Sequence, residues 1–193
     1  MVIIMNDQME PINEEQVEEK EGVPRSCFEW AEALVSSIVI VIAIFTFLFR
    51  VVAVDGTSME TTLLDEDRIV LTNLFYSPQP GDIVVMSHGE VFDAPLVKRV
   101  IAVEGQTVDI TNEGEVYVDG EKLEESYIHG AKTFKGEQTY PLEVPEGYVF
   151  VMGDHRAVSL DSRYKDVGLI DERNIIGKAQ CIIYPFNRIG GLS

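Results

Sequence analysis

Hydrophobic positions divide the chain into one long apolar run and a series of much shorter runs. The long run, Ala33 to Phe49, contains seventeen residues without a charge. At about 1.5 Å per residue it extends about 26 Å as a helix, slightly short of a hydrocarbon core of about 30 Å. Val51 to Val54 continue the apolar character past Arg50, whose long side chain can reach a membrane surface. The pattern therefore predicts a transmembrane helix over residues 33–54.

After this run, helical periodicity gives way to short β-branched runs separated by turn signals such as Pro80-Gly81-Asp82. Two of these runs alternate apolar and polar positions on either side of Asn112-Glu113-Gly114, which predicts a hairpin. We therefore expect a mainly β domain over residues 55–193, with a second, smaller β lobe at about residues 104–147. The predicted strands are Arg68–Leu71, Ile83–Met86, Leu96–Val103, Thr107–Ile110, Val116–Val118, Tyr148–Met152 and Ala179–Tyr184.

The formal net charge is −18, and the acidic residues are concentrated at the start of the chain. Residues 1–32 hold nine acidic side chains against Lys20 and Arg25, which predicts a solvated, disordered tail. So acidic a chain repels phosphate backbones, and nucleic-acid binding is therefore disfavoured. A cleavable signal peptide, the alternative to a retained span, requires a basic first segment and a small-x-small cleavage site. Neither is present, so we expect the apolar segment to be retained.

The cysteines and histidines give little indication of a disulfide, a metal site or a catalytic site. Cys27 and Cys181 are expected on opposite sides of the membrane, where they cannot pair, and no metal-ligand spacing occurs. His88 and His129 lie next to glycines in loop-like segments and are predicted to be surface residues. His155, within Gly-Asp-His-Arg, stays open as a partner for a serine.

Lys98 is the most informative basic residue, because it interrupts the apolar run 96–103 beside Arg99. Neighbouring residues on a strand point to opposite faces, so one of the two should meet an apolar environment. Of the two, only lysine can lose its proton there and serve as a base for a nucleophile such as a serine. The alternative is a charged pair on an edge strand.

A polar segment, residues 153–164, follows a fully apolar predicted strand. Asp161 and Arg163 can pair there, and Ser159 can offer its hydroxyl to a neutral amine. Ser58, in Asp-Gly-Thr-Ser-Met-Glu just after the apolar run, is either a turn residue or a nucleophile.

Three sequence blocks together resemble the signature motifs of the bacterial type I signal peptidases. They are Gly-Thr-Ser-Met with Thr62-Leu63, Lys98-Arg99-Val100-Ile101-Ala102, and Gly-Asp-x-Arg-x-x-Ser-x-Asp-Ser-Arg at 153–163. Their order, their spacing and the preceding span also agree with that family. The resemblance implies an antiparallel β catalytic core with a second β lobe, tethered by one transmembrane helix.

The resemblance implies a Ser-Lys mechanism without a metal or an organic cofactor. Ser58 would be the nucleophile and Lys98 the general base, with the backbone N–H of Ser58 in the oxyanion hole. Some members supply a serine hydroxyl where this chain has Gly56, so any help from that position must come from the backbone. Ser159 would hydrogen-bond and orient Lys98. Asp161 and Arg163 would brace the loop.

The implied function is removal of signal peptides from exported preproteins, by a single-pass enzyme whose tail is cytoplasmic and whose domain lies outside. Its partners would be the lipid bilayer and preproteins with small residues one and three positions before the cut. Two shallow apolar pockets are implied, lined by Val52, Val54, Met59, Leu63, Ile69, Leu96 and Val97.

Two positions depart from the family pattern: Thr61 replaces a usual proline, and His155 a usual asparagine. The alternatives are a degenerate membrane-tethered β module without catalysis and a self-cleaving repressor with a Ser-Lys site.

Overall fold

A computed structural model describes residues 25–87, 94–128 and 132–192 of the chain. The described part begins with one helix, α1, at Arg25–Leu48. Short 3₁₀ turns lie at Glu172–Asn174 and Phe186–Arg188. The strands in chain order are β1 (Phe49–Ala53), β2 (Arg68–Thr72), β3 (Ile83–Met86), β4 (Leu96–Ala102), β5 (Thr107–Ile110), β6 (Val116–Val118), β7 (Glu121–Lys122), β8 (Leu142–Glu143), β9 (Tyr148–Met152), β10 (Ile170–Asp171), β11 (Ile175–Tyr184) and β12 (Gly190–Gly191).

The helix α1 is apolar along most of its length. Its segment Cys27–Thr46 has 20 residues and a mean hydropathy of 2.0. Large apolar side chains such as Ile40 and Phe45 are exposed. By length and composition this helix can cross a membrane.

The bounds of α1 differ from those predicted for the span. The helix includes residues 25–32, which were assigned to the disordered tail, whereas residues 1–24 lie outside the described part. It ends at Leu48, and Phe49–Ala53 forms β1 instead of the end of the span. The reason is that β1 pairs along its full length with β2, from Phe49 opposite Thr72 to Ala53 opposite Arg68. Apolar content alone does not distinguish such a strand from a continued helix.

The larger sheet carries eight strands in the order β1-β2-β11-β3-β4-β9-β10, with β12 added to β11. Every described strand pair in it is antiparallel. The ten-residue strand β11 joins β2 to β3, and register shifts interrupt both pairings. Such bulges bend a strand and increase its twist, so the sheet curls around its apolar face.

The smaller sheet has four strands in the order β7-β6-β5-β8 and lies within the segment predicted as a second lobe. The predicted hairpin is present, with Ile110 opposite Val116. A shared hydrophobic cluster joins the two sheets, because Ile101 and Phe150 of the larger sheet pack with Val108 and Ile110 of the smaller one. The predicted fold class, mainly antiparallel β after one apolar helix, is confirmed.

Strand β3 shows why the larger sheet needs apolar residues on both faces. All four of its residues are buried. Ile83 and Val85 pack in one cluster, whereas Val84 and Met86 pack in another. A strand buried on both faces reads as a continuous apolar run, which is the pattern seen in the sequence.

Gly136 lies where the smaller lobe meets the polar segment 153–164. Its φ is +68°, and a Cβ there would stand 2.4 Å from the carbonyl oxygen of Arg163. Backbone cannot yield to such an overlap as a flexible side chain can. Gly120 is a matched control, because its φ is +82° but a Cβ there would meet nothing within 4 Å.

We expect Gly136→Ala to lower the free energy of unfolding by about 3 kcal/mol or more, since it combines steric overlap with backbone strain. Gly120→Ala adds only the strain of a left-handed backbone, about 1 kcal/mol. Denaturation of the detergent-solubilised full chain measures both. Equal losses for the two variants would contradict the close approach at Gly136.

Candidate active site

Ser58 lies in the loop that connects β1 to β2, and this loop is closed at its base. The N–H of Val54 donates to the carbonyl of Asp67 at 2.8 Å. Within the loop, Met59 and Leu63 are 1% and 0% exposed and belong to the core. Because both apolar side chains are anchored, the serine that directly precedes Met59 is held in a fixed place.

Lys98 reaches this serine from the middle of β4. Its Nζ donates to Ser58 Oγ at 2.8 Å and to the Val97 carbonyl at 2.9 Å. The Lys98 side chain is buried, and β4 lies between β3 and β9. The alternative of a charged pair on an edge strand is therefore wrong, because β4 is an interior strand whose side chains are enclosed.

Burial lowers the pKa of Lys98 from 10.5 to about 8. The carboxylate of Asp161 opposes this effect and the guanidinium of Arg163 adds to it, while Asp154 again opposes it. A lysine with such a pKa is largely neutral in mildly alkaline solution and can accept a proton from a hydroxyl at hydrogen-bond distance. The pair Ser58–Lys98 can therefore act as a nucleophile and its base.

Segment 153–164 packs directly against the loop that holds Ser58. The N–H of His155 donates to the Ser58 carbonyl at 3.0 Å. At Gly153 a Cβ would stand 2.2 Å from Ser159 Oγ and 2.5 Å from the Ser58 carbonyl oxygen. Glycine is thus the residue that lets the two segments approach.

Ser159 is buried in this contact but does not make the predicted hydrogen bond to Lys98. Among the described residues its Oγ has no hydrogen-bond partner. The Lys98 amine instead uses Ser58 and the Val97 carbonyl, because both oxygens lie within 2.9 Å. The expected orientation of Lys98 by the Ser159 hydroxyl is therefore absent from this arrangement.

Asp161 and Arg163 form a buried pair within the same segment. Nε and one terminal nitrogen of Arg163 donate to the two Asp161 oxygens at 2.7 and 2.8 Å. The guanidinium also bonds the carbonyls of Arg156 and Ser159, and Asp161 accepts the N–H of Gly153. These bonds satisfy two buried charges and tie the segment to itself. The bracing role of the pair stays a prediction.

A second buried pair was not predicted. Arg99 donates to both Asp154 oxygens, at 2.9 and 2.8 Å, and the Thr62 hydroxyl donates to the same carboxylate at 2.5 Å. The three sequence blocks therefore meet at Asp154. A signal was present in the sequence, because an arginine in an apolar strand needs a carboxylate partner when buried.

Gly56 and His155 make their described contacts with residues other than the Ser58 hydroxyl. The Gly56 N–H donates to Asp65 Oδ1 at 2.9 Å. His155 Nδ1 stands 3.2 Å from the Glu60 carboxylate and 3.2 Å from the Thr57 carbonyl, so the ring is directed at neighbours of the serine. His88 and His129 lie outside the described residues.

Most of the residues predicted to line substrate pockets pack in one hydrophobic cluster: Val52, Val54, Met59, Leu63, Ile69 and Val97. Within it, Met59, Leu63 and Ile69 are at most 1% exposed, whereas Val54 is 4% and Val97 9% exposed. Leu96 is not part of this cluster and packs with Val84 and Val100 instead.

Comparison with known proteins identifies the family. The model of the signal peptidase family, peptidase S26, matches residues 27–184. The chain belongs to this family. It is thereby a serine endopeptidase, and the three blocks that resembled signal peptidase motifs are those that meet around Ser58, Lys98 and Asp154.

Individual signal peptidases are similar along most of the chain. Signal peptidase I of Bacillus licheniformis is 36% identical over 176 residues, which cover 85% of this chain and 92% of that protein. Signal peptidase I S of Bacillus subtilis (strain 168) is 34% identical, covering 86% and 93%. A crystal structure of a signal peptidase I from Enterococcus faecalis V583 covers 54% of this chain and 98% of its own, with 29% identity and a TM-score of 0.46.

Thr61, the position at which the resemblance to signal peptidases leads us to expect proline, adopts a φ of +91°. A proline ring fixes φ near −65°, so proline cannot adopt this conformation. The turn after Ser58 must therefore be held by other contacts in this member of the family.

The burial of Lys98 predicts that activity and stability oppose each other at this position. The pKa of Lys98 is near 10.5 in the unfolded chain but about 8 in the folded chain. Below pH 8, folding therefore buries a charged amine, which lowers the free energy of unfolding by its full amount. This loss of stability disappears as pH rises from 8 towards 10.5.

We expect Lys98→Met to raise the free energy of unfolding at pH 6 by on the order of 2 kcal/mol, since one pKa unit corresponds to about 1.4 kcal/mol. The gain should shrink between pH 8 and 10.5. Denaturation of both proteins at pH 6 and pH 10 measures the difference. A variant less stable than the parent at pH 6 would contradict the desolvated amine.

Proposed function

We propose that the protein is a membrane-anchored endopeptidase that removes signal peptides from exported preproteins, using Ser58 as nucleophile and Lys98 as general base. One observation carries the proposal: the Ser58 hydroxyl stands 2.8 Å from an amine whose burial favours its neutral form. The names of the relatives, all signal peptidases, support the substrate class.

The reaction begins with neutral Lys98 accepting the proton of Ser58 as Oγ attacks the scissile carbonyl. The resulting oxyanion is stabilised by the backbone N–H of Ser58, which donates to no other described residue. Protonated Lys98 then gives its proton to the departing amine, and an acyl-enzyme ester remains on Ser58. Neutral again, Lys98 takes a proton from the water that attacks the ester, and returns it to Ser58 Oγ as the bond to the acyl group breaks and the carboxylic acid product leaves.

The residues around the pair have supporting roles in this proposal. Asp161 and Arg163 keep segment 153–164 in place, and their opposite charges limit the net field on Lys98. Ser159 offers a buried hydroxyl beside Gly153 that can take up a hydrogen bond during turnover. Gly56 contributes through its backbone, by a bond to Asp65 that holds the start of the loop.

Both alternatives to a peptidase receive less support. A degenerate module would not need a lysine buried at hydrogen-bond distance from a serine, since the charged group costs stability. A self-cleaving repressor binds DNA, whereas residues 1–32 are strongly acidic and the helix α1 is apolar. The acidic balance also argues against any nucleic-acid partner.

Replacement of either member of the pair should abolish cleavage of a preprotein by the detergent-solubilised chain. Ser58→Ala loses the nucleophile and Lys98→Arg keeps the charge but cannot act as a base, so each should lower kcat/KM by at least about 10³-fold. The parent rate should rise with pH and level off above about 8, the pKa of Lys98. His155→Asn serves as the control and should retain most activity.

An active Lys98→Arg variant, or a parent rate that does not change between about pH 6 and 9.5, would refute the lysine base. Complete loss of activity in His155→Asn would instead indicate a histidine base.

The substrate pockets are proposed to lie beside the cluster that contains Val52, Val54 and Val97. A peptide strand presents alternate side chains to one face, so the residues one and three positions before the cut meet the same wall. We expect cleavage of preproteins with alanine at both positions and none with phenylalanine at either. Val54→Ala and Val97→Ala should admit valine or leucine at one of them.

Val51→Ala is the matched control for these pocket variants, because Val51 is 57% exposed and lies outside the cluster. It should leave the preference unchanged. Cleavage sites mapped by mass spectrometry measure the outcome. Efficient cleavage by the parent after bulky residues at both positions would rule out shallow pockets.

The proposed topology places residues 1–32 in the cytoplasm, with α1 as the anchor, and the domain from Asp55 onward outside. Protease added to intact spheroplasts should digest the domain and spare an epitope at the N-terminus. Digestion of the N-terminal epitope alone would contradict this topology, and with it the substrate, since preproteins are cut on the outer face.

A further inference from the structure

We propose that Tyr127, in the segment that follows β7, is a positioning residue for the reaction: its carbonyl holds the turn after Ser58, and its ring covers Arg99 beside Lys98. The inference rests on the proposed roles of Ser58 and Lys98. It assigns to the smaller lobe a part in aligning the two.

The turn after Ser58 is strained at Thr61. Its φ of +91° is unfavourable for any residue with a Cβ, and most so for a β-branched one. The Thr61 hydroxyl donates to the Tyr127 carbonyl at 2.6 Å, across 66 residues of sequence. Thr61 itself is exposed, so packing does not impose its conformation. Among the described residues, the hydrogen bond from the Thr61 hydroxyl to Tyr127 is what holds the Thr61 side chain and opposes relaxation of the turn.

The Tyr127 ring makes the second contact. The guanidinium carbon of Arg99 lies 4.0 Å from the ring centroid, a cation–π distance. Arg99 is also held by Asp154, which accepts the hydroxyl of Thr62, the residue after Thr61. Thr62, Asp154 and Arg99 thus connect the serine loop to the strand that carries Lys98. Tyr127 contacts this connection at both ends, through Thr61 and through Arg99.

Tyr127 is itself held in place by Glu125, a neighbour on the same segment that accepts its hydroxyl at 3.3 Å. Glu125 also pairs with Arg156, which is buried and donates to the Thr133 hydroxyl at 2.7 Å. The Arg156 guanidinium lies 5.9 Å from the Tyr127 ring. The ring is thus close to two buried arginines, Arg99 and Arg156, which belong to two different sequence blocks.

Loss of either contact should act on the chemistry more than on substrate binding. A relaxed turn changes the distance between Ser58 Oγ and Lys98 Nζ, and displacement of a reacting group by about 1 Å can cost on the order of 10²-fold in rate. Both contacts also bear on Asp154, the carboxylate that Arg99 and Thr62 hydrogen-bond. The charge of Asp154 raises the pKa of Lys98, so weakening these bonds moves the pH dependence of kcat upward.

The test compares two pairs of variants of the full chain in detergent. Thr61→Val removes the donor at nearly constant shape, and Thr61→Ser restores it. Tyr127→Leu removes the ring, and Tyr127→Phe keeps it while removing only the hydroxyl. Preprotein cleavage is measured as kcat and KM from about pH 6 to 10, together with the melting temperature of each variant.

We expect Thr61→Val and Tyr127→Leu to lower kcat by about tenfold or more, with KM changed by less than about twofold. The midpoint of the kcat profile should move to higher pH in both. Thr61→Ser should match the parent in rate and in midpoint. Tyr127→Phe keeps the ring and loses only the bond to Glu125, so its kcat should lie between those of the parent and Tyr127→Leu. If Tyr127→Leu does not fold, the exposed Thr61 pair decides the matter.

The proposal is overturned if Thr61→Val keeps the parent kcat and midpoint, or if only its melting temperature or KM changes. Failure of the proposed function is distinguishable, because it would appear in the parent itself, as a rate without a midpoint near pH 8 or as an active Lys98→Arg enzyme.

Discussion

The site depends on an amine that is enclosed by an antiparallel sheet. Among the described residues, no counter-ion is in direct contact with it. Lys98 is 3% exposed and its hydrogen bonds go to a hydroxyl and a carbonyl, neither of which carries a charge. A carboxylate in the same place would hold the proton on the lysine and prevent its proposed role as a base. The acidic groups that act on it, Asp154 and Asp161, are each bonded to an arginine, so their charges are already matched.

The buried arginines explain why the third sequence block is so polar. Arg99, Arg156 and Arg163 are at most 2% exposed, and each is paired with a carboxylate: Asp154, Glu125 and Asp161 respectively. Buried pairs of this kind contribute little net stability compared with apolar packing, but breaking one leaves an uncompensated charge. Their effect is to allow few alternative arrangements of the loops, which is what the proposed pairing of Ser58 with Lys98 requires.

Much of this architecture is legible in the sequence where a pattern is local. The runs Ile83–Met86 and Val116–Val118 coincide with β3 and β6, because β-branched residues between turn signals favour strands. Strand β1 was assigned to the membrane span, since Val51 and Val52 are as apolar as the helix before them. The two-residue strands β7 and β8 carry no pattern of their own and form only because β6 and β5 offer an edge.

The site shows the same division between local and long-range features. Ser58, Lys98 and the pair Asp161–Arg163 each lie within a recognisable sequence block. The hydrogen bond between Thr61 and Tyr127 joins residues 66 positions apart, so no local sequence spacing predicts it. The absence of the expected bond from Ser159 to Lys98 likewise depends on distances that only the folded chain defines.

Strand β4 places two basic residues side by side, and this has a consequence for its register. Lys98 and Arg99 face opposite sides of the sheet, so a slip by one residue would exchange them. The serine would then meet a guanidinium, which cannot be deprotonated in a protein. Position in the interior prevents this error: β4 is hydrogen-bonded on both sides, with Lys98 opposite Val84 and Arg99 opposite Met152, so a slip would break two ladders at once. An edge strand would lack that safeguard, and the identity of the proposed base is therefore encoded as much in the pairing of three strands as in the lysine itself.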